Sequence, residues 1–134
     1  MRQMTELNKH TDDIVKLLSG LAGEDYCYLT TTGRVSGRPH EIEIWFGIQN
    51  HTLYLLSGSH GSDWVKNLRA NPAATVRIAK HTFTGQARIV HDEEEDLMAR
   101  YMLAEKYQEW NEDKSLSEWA RTALPVAIDL TSSR

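Results

Sequence analysis

Three basic side chains lie close together in a segment with two glycines, and this grouping could bind an anion. They are Arg34, Arg38 and His40, in the segment TTGRVSGRPH of residues 31–40. Glycine lets the backbone approach a ligand closely, and successive free N–H groups form an anion-binding nest. Arginine adds bidentate recognition of phosphate or carboxylate. The segment therefore predicts a phosphate site, with a hairpin loop whose charges are solvated as the alternative.

A second segment, LSGSHGSDWVKNL of residues 56–68, has the features of another anion-receptive corner. Its small residues end a predicted strand and precede the N-terminus of a predicted helix, where the helix dipole favours negative charge. Trp64 offers a flat apolar surface, and Asn67 lies about one turn further on. From these residues alone, a capped helix with Trp64 in the core is the alternative.

Other kinds of chemistry find little support. The glycine segments match neither the P-loop nor the dinucleotide fingerprint, and the six histidines lack metal-ligand spacing, so we predict no metal site. Cys27 lies in an apolar alternating stretch, which favours a buried structural thiol over a nucleophile. On spacing alone, Tyr101, Tyr107 and Trp110 belong to a helix core.

Length and composition indicate one globular domain over residues 1–134, with residues 1–10 as a frayed start. Charged residues make up 25% of the chain, and the net charge of −4 argues against a general nucleic-acid binder. No run is apolar and long enough to span a bilayer, and the N-terminus has no signal-peptide pattern. We therefore expect a cytoplasmic protein.

Hydrophobic periodicity predicts strands in meandering hairpins that helices interrupt. The first helix is expected from an N-cap at Thr11, and a later one from an N-cap at Asp92. Between His40 and Ile48 the residues alternate, which predicts one strand. The predicted strands span 26–32, 40–48, 52–57, 74–79, 83–91 and 124–130, with a helix over 63–70 and a helical stretch after Ser115. This order indicates an α+β fold with a small antiparallel barrel.

Four linked motifs carry a resemblance over about Tyr28 to Leu130. They are T-T-G-R-x-S-G-x-P, W-x-x-N-L-x-A-N-P, YQEW and PVAIDL. Together they resemble the deazaflavin-dependent nitroreductase family, in the superfamily of flavin and deazaflavin oxidoreductases. The resemblance implies a split β-barrel of the FMN-binding-like type, with about six antiparallel strands and flanking helices, and a homodimer.

The resemblance also implies that the chain binds coenzyme F420 and transfers a hydride from its reduced form to a small electron-poor molecule. That acceptor is a quinone, an activated alkene or a nitro compound. The implied contacts to the phosphate-bearing tail are Arg34, Val35, Ser36, His40, Glu41, Ile42, Glu43, Ile44 and Trp45. The implied contacts to the ring are Leu56, Ser57, Gly58, Ser59, Trp64, Val65, Lys66 and Asn67. Tyr107 and Trp110 are implied on the substrate side, with Tyr107 orienting the acceptor or relaying a proton.

The chain departs from the family pattern at several tail and ring positions. Val35 stands where many members carry lysine, and Ser59 where some do. His40 replaces a frequent arginine, and Glu43 a frequent proline. Glu41 and Glu43 would repel an anionic tail if they faced it. Two alternatives therefore stay open: an FMN-dependent oxidoreductase of the same fold, and a binding protein without turnover.

Overall fold

The computed structural model describes the backbone of residues 2–133 and the side chains of residues 10–133. In chain order, the elements are α1 (Arg2–Ser19), β1 (Cys27–Thr32), β2 (Pro39–Ile44), β3 (Gly47–Gln49), β4 (Thr52–Ser57), α2 (Asp63–Ala70), β5 (Ala73–Ile78), β6 (His81–Ile89), α3 (Glu93–Gln108), α4 (Glu118–Thr122) and β7 (Leu124–Ser133). The predicted α+β organisation is confirmed.

The strands form one curled antiparallel sheet. The described strands are ordered β2-β1-β5-β6-β7-β4-β3, and every pairing between neighbours is antiparallel. β2 and β3 lie at opposite ends of this order, yet only Trp45 and Phe46 connect them. Three Cα–Cα steps reach at most about 11 Å. The two outer strands must therefore approach each other at this connection, which confirms the split barrel.

The single strand predicted over residues 40–48 is wrong. The chain leaves β2 at Ile44 and enters β3 at Gly47, and these two strands lie at opposite ends of the strand order. The predicted apolar face is nevertheless correct. Phe46 lies in the main core, and Ile42, Ile44 and Ile48 pack against it. Alternation of apolar and polar residues indicates which face of a strand is buried. It does not show whether the residues form one continuous strand or two strands with a break between them. Within residues 2–133 the barrel consequently has seven strands, which agrees with the predicted number of about six.

The N-cap predicted at Thr11 is also wrong, because α1 begins at Arg2. Residues 2–9 contain mostly good helix formers and neither glycine nor proline, so the helix extends through them. The predicted apolar face is confirmed at Ile14 and Leu18, which are buried. The expected frayed start falls largely on side chains outside those described. Within residues 2–133, no helix has the length and apolar character needed to cross a bilayer.

β4 is buried on both faces, since it separates two clusters of the core. Leu53 and Leu55 point into the barrel and belong to the main cluster. Tyr54 and Leu56 point outward and belong to a second cluster, which α3 covers with Leu103 and its neighbours. α3 begins where predicted, because the Asp92 carboxylate accepts a hydrogen bond from the Glu95 N–H at 2.9 Å.

Cys27 is fully buried, as predicted for a structural thiol. Burial raises the pKa of this thiol to about 12. A thiol is a poor nucleophile near neutral pH at such a pKa, because almost none of it is thiolate.

A charged network joins α3 to the sheet. Arg88 of β6 donates to Glu95 at 2.6 Å and to Asp129 at 2.8 Å, and Tyr54 donates its hydroxyl to Glu95 at 2.6 Å. Hydrogen bonding to Arg88 lowers the pKa of both carboxyl groups below their ordinary values of 4.5 and 3.8. A depressed folded-state pKa contributes stability that is present above the ordinary pKa and lost as the pH falls through the folded-state value.

We therefore expect the free energy of unfolding to fall as the pH is lowered from about 5, and Glu95→Gln to reduce that fall. The amide oxygen of the variant still accepts from Tyr54, so the fold is kept. Urea unfolding at neutral pH and at pH values below the ordinary pKa of Glu95 measures the difference. Glu94→Gln, an exposed neighbour, is the control. Equal acid sensitivity in both variants would contradict the expectation.

Candidate active site

The two small-residue corners singled out in the sequence lie against each other. The backbone N–H of Arg34 donates to Asn67 Oδ1 at 3.1 Å, and its guanidinium Nη1 donates to the same oxygen at 2.9 Å. Arg34 Nη2 also lies 3.2 Å from Asp63 Oδ1. The turn after β1 is thereby attached to the first two turns of α2.

Asn67 is the centre of this junction. It is 4% exposed, and its Nδ2 donates to the hydroxyl of buried Thr31 at 3.2 Å. Both ends of the amide are satisfied, as a buried polar group requires. The buried amide thus sets where α2 lies relative to β1.

The second corner is held by hydroxyl groups. The Ser57 hydroxyl donates to the Ser59 carbonyl and lies 2.9 Å from the Ser62 hydroxyl. Ser62 occupies the N-cap position of α2, but its side chain makes no capping hydrogen bond. Its hydroxyl is directed to Ser57 instead, so Ser62 closes the loop between β4 and α2.

An open cavity of about 430 Å³ lies between this junction and β2. Its basic side chains are Arg34 and His40, and its acidic ones are Glu41 and Asp63. The turn around Gly33 is tight, since a Cβ there would lie 2.6 Å from both Ser36 Oγ and His40 Nε2. The lining residues are Thr31, Gly33, Arg34, Val35, Ser36, His40, Glu41, Ile42, Asp63, Trp64 and Asn67.

A second open cavity of about 510 Å³ has three aromatic residues in its walls. The Trp45 and Trp119 rings meet edge to face, with centroids 5.5 Å apart and planes at 86°. The lining residues are Tyr26, Glu43, Ile44, Trp45, Leu56, Gln108 and Trp119. Such a surface suits a flat apolar ring.

The two cavities follow each other along β2. Ile42 lines the first and Ile44 the second, and residues two apart in a strand share a face. From His40 to Ile44 the strand advances about 13 Å. A ligand in the first cavity, with an anionic group at Arg34, could therefore extend toward a second molecule in the cavity beside Trp45.

Side chains of α3 bind the backbone at the break between β2 and β3. The Phe46 N–H donates to the Tyr107 hydroxyl at 2.9 Å, and the Phe46 carbonyl accepts from Lys106 Nζ at 3.1 Å. The Tyr107 hydroxyl lies 3.0 Å from both the Phe46 and the Asp25 carbonyl oxygens. These contacts replace the ladder hydrogen bonds that the break removes.

The Tyr107 ring stacks on Trp45, with centroids 4.4 Å apart and planes at 3°. Burial raises the pKa of the Tyr107 hydroxyl to about 12. Tyr107 lies behind Trp45 and lines neither cavity, so the structure does not place it against an acceptor as predicted. It acts as a positioning residue for Trp45.

We expect Tyr107→Phe to lower the free energy of unfolding by about 1–3 kcal/mol, because it leaves the Phe46 N–H without its acceptor. The ring stack on Trp45 is kept, so cofactor affinity should change little. Urea unfolding measures the first quantity. Tyr101→Phe, at an exposed position on the same helix, is the control and should be within about 0.5 kcal/mol of the unaltered chain. Equal stability of the two variants would contradict the proposed role.

The predicted site residues fall into three groups. Those that line the first cavity are Arg34, Val35, Ser36, His40, Glu41, Ile42, Trp64 and Asn67. Those that line the second are Glu43, Ile44, Trp45 and Leu56. Those that line neither are Ser57, Gly58, Ser59, Val65, Lys66, Tyr107 and Trp110.

Two members of the last group have other contacts in this structure. Val65 is fully buried in the main core and lines a separate cavity of about 210 Å³. Trp110 donates its indole N–H to the Lys114 carbonyl at 2.8 Å and packs against Tyr101, with ring centroids 4.6 Å apart. Its ring thus packs at the end of α3, and its place on the substrate side stays a prediction.

Several lining residues carried no sequence signal of a site. Tyr26 and Trp119 lie outside the four motifs and meet Gln108, which lies inside the YQEW motif, only in the folded chain. Thr31 and Gly33 lie inside the quoted motif, so their place beside Arg34 could have been predicted. At Asp63 the sequence indicates only the start of a helix, and its place in the first cavity is seen only in the structure.

A family model described as F420H(2)-dependent quinone reductase matches residues 1–131. The chain belongs to this family. This confirms the deazaflavin family that the four motifs indicate, and with it an F420-dependent reductase. No curated protein matches the chain.

Several solved structures share the fold of this F420-dependent reductase. The conserved hypothetical protein Rv2991 from Mycobacterium tuberculosis has a TM-score of 0.75 and 18% identity, with 89% of this chain and 81% of that chain covered. An F420-H2 dependent reductase, FDR-A, has a TM-score of 0.60 and 20% identity, with 78% and 93% covered. A FAD-binding protein from Mesorhizobium loti has a TM-score of 0.63 and 15% identity, with 88% and 89% covered.

The donor set of the first cavity fits the anionic part of F420. Arg34 has five N–H donors, and within the described residues its guanidinium spends two of them on Asn67 and Asp63. Ser36 and His40 add a hydroxyl and an imidazole beside it. Glu41 is drawn toward Arg77, whose Nη2 lies 3.7 Å from its carboxylate. This pairing reduces the repulsion that the sequence predicts between Glu41 and an anionic tail.

Proposed function

We propose that this reductase transfers a hydride from reduced F420 to a planar quinone. The observation that supports the proposal most is the pair of cavities along β2, one with phosphate-binding donors and one with aromatic walls. When bound, reduced F420 supplies a hydride and a proton, which together convert a quinone into a hydroquinone.

The first cavity would hold the cofactor through its phosphate. Arg34 and Ser36 would donate to the phosphate oxygens, with His40 beside them. Asn67 would keep Arg34 in place, since it accepts from both its backbone and its side chain. A donor that is already oriented binds an anion at a smaller entropic cost.

The second cavity would hold the acceptor. Trp45 is 38% exposed, and its other face is stacked on Tyr107, so the indole is a fixed surface for a second ring. Trp119 would bound the acceptor at its edge, and Gln108 offers an amide to a carbonyl oxygen. These residues would orient the acceptor and exclude water, while the cofactor supplies the redox chemistry.

The proposal is tested with purified protein, F420 and three acceptors: 1,4-naphthoquinone, cyclohexenone and nitrobenzene. We expect saturable quenching of F420 fluorescence at micromolar concentrations (about −8 kcal/mol), and oxidation of reduced F420 that is fastest with the quinone. F420 binding without oxidation by any acceptor would select a binding protein without turnover. Faster reduction of the alkene or the nitro compound would contradict the quinone assignment.

FMN use by the same fold is the second candidate. Val35 is 93% exposed where family members carry lysine, so one contact to an F420 tail is missing here. A yellow preparation with a flavin spectrum, and no response to F420, would favour FMN.

We also propose, as the sequence led us to expect, that the enzyme works in the cytoplasm as a homodimer. Its exposed aromatic and aliphatic side chains, which include Tyr26, Leu97 and Tyr101, would suit such an interface. Light scattering coupled to gel filtration gives the mass directly, and a monomer at micromolar concentration would contradict the dimer.

A further inference from the structure

The acceptor cavity carries one carboxylate. Among its described lining residues, Glu43 alone has a formally charged side chain, and the others are aromatic, aliphatic or amide groups. Glu43 is an exposed residue beside an open cavity, so water partly screens its charge, and its effect on a charged ligand there should be moderate.

The positions of the nearest cations leave this carboxylate without direct neutralisation. Glu43 Oε1 accepts from the Tyr28 hydroxyl at 2.9 Å, and the Arg77 guanidinium lies 4.2 Å above the Tyr28 ring. Arg77 forms its salt bridge with Glu41, at 3.7 Å. Within the part of the chain that the structure describes, no salt bridge involves Glu43.

Lys106 of α3 is a further cation, and it does not line the second cavity. Its Nζ donates to the Phe46 carbonyl at 3.1 Å and lies 3.7 Å from the centre of the Phe46 ring. Phe46 is fully buried, and the Tyr107 ring is also within 4.9 Å of this Nζ. The Lys106 charge is therefore held behind the Trp45–Tyr107 stack.

We infer that Glu43 is a specificity-determining residue, which makes the second cavity favour neutral planar acceptors over anionic ones of the same ring size. This inference rests on the proposed function and extends it to the charge of the acceptor. The aromatic walls supply affinity for the ring, and the carboxylate penalises a sulfonate or carboxylate on it. A like charge at the rim of an open site should cost about fivefold or more in kcat/KM.

The test compares 1,4-naphthoquinone with 1,4-naphthoquinone-2-sulfonate in the unaltered enzyme and in Glu43→Gln. The sulfonate alters the intrinsic reactivity of the quinone, but it does so equally in both proteins. The ratio of the two kcat/KM values within each protein, compared between proteins, therefore isolates the effect of the carboxylate. Glu94→Gln is the matched control, since it removes the same charge from an exposed position outside both cavities.

We expect Glu43→Gln to raise the sulfonate-to-neutral ratio about fivefold, while Glu94→Gln leaves the ratio unchanged. High salt should shrink the discrimination of the unaltered enzyme, because it screens the carboxylate. Equal ratios in the unaltered enzyme and Glu43→Gln, with both quinones reduced, would overturn the inference and leave the proposed function standing.

Reduction of neither quinone would instead count against the proposed function. In that case, quenching of the protein's tryptophan fluorescence, to which Trp45 and Trp119 of this cavity contribute, still measures the binding of the two quinones. A sulfonate affinity that improves in Glu43→Gln supports the charge selection, and one that does not improve overturns it.

Discussion

Arg34→Ala should raise the dissociation constant for F420 about tenfold to a hundredfold, which corresponds to about 1.5–3 kcal/mol for a hydrogen bond to a charged group. The guanidinium lies in the first cavity and keeps free donors beyond those bound to Asn67 and Asp63. The fold should survive, because the backbone N–H of residue 34 still donates to Asn67 Oδ1. Quenching of F420 fluorescence measures the affinity, and thermal unfolding checks the fold.

Two further variants separate charge from geometry at Arg34. Arg34→Lys keeps the charge but loses the planar fork, so its affinity should lie between those of the unaltered chain and Arg34→Ala. Asp63→Asn removes the carboxylate that competes for Arg34 at 3.2 Å, so F420 should bind more tightly. An Arg34→Ala variant that is stable and binds F420 with unchanged affinity would place the phosphate elsewhere.

Gly85→Ala should lower the free energy of unfolding by about 3 kcal/mol, because a methyl group at this position meets backbone atoms. A Cβ at Gly85 would lie 2.9 Å from the Asp129 carbonyl carbon and 3.0 Å from Leu130 Cα. The register between β6 and β7 shifts at Thr84/Gly85, so the two strands approach closely here. Backbone in the middle of a paired sheet cannot move aside as a side chain can.

Urea unfolding of Gly85→Ala, with Gly23→Ala as its control, tests this expectation. Nothing lies within 4 Å of a Cβ built on Gly23, so that variant should match the unaltered chain or be slightly more stable. The thermal midpoint of Gly85→Ala should fall by about 10 °C. Equal stability of the two variants would mean that the strands separate easily at the register shift.

Local signals in the sequence determined most of the individual elements. β4 and α2 occupy the predicted residues, 52–57 and 63–70, because a strand that returns from a hairpin turn and a short amphipathic helix are indicated by neighbouring residues. Asp92 caps α3 for the same reason. The four motifs likewise indicated the family and the first cavity, since the basic turn is contiguous in the chain.

The tertiary structure alone decided how the barrel closes and what forms the second cavity. The chain crosses from β2 to β3 at Trp45–Phe46 because Tyr107 and Lys106, about 60 residues later, bind the backbone of Phe46 there. Trp119 reaches Trp45 in the same way, from a helix that follows α3. Periodicity describes one segment at a time, whereas these contacts depend on the free energy of packing distant segments together.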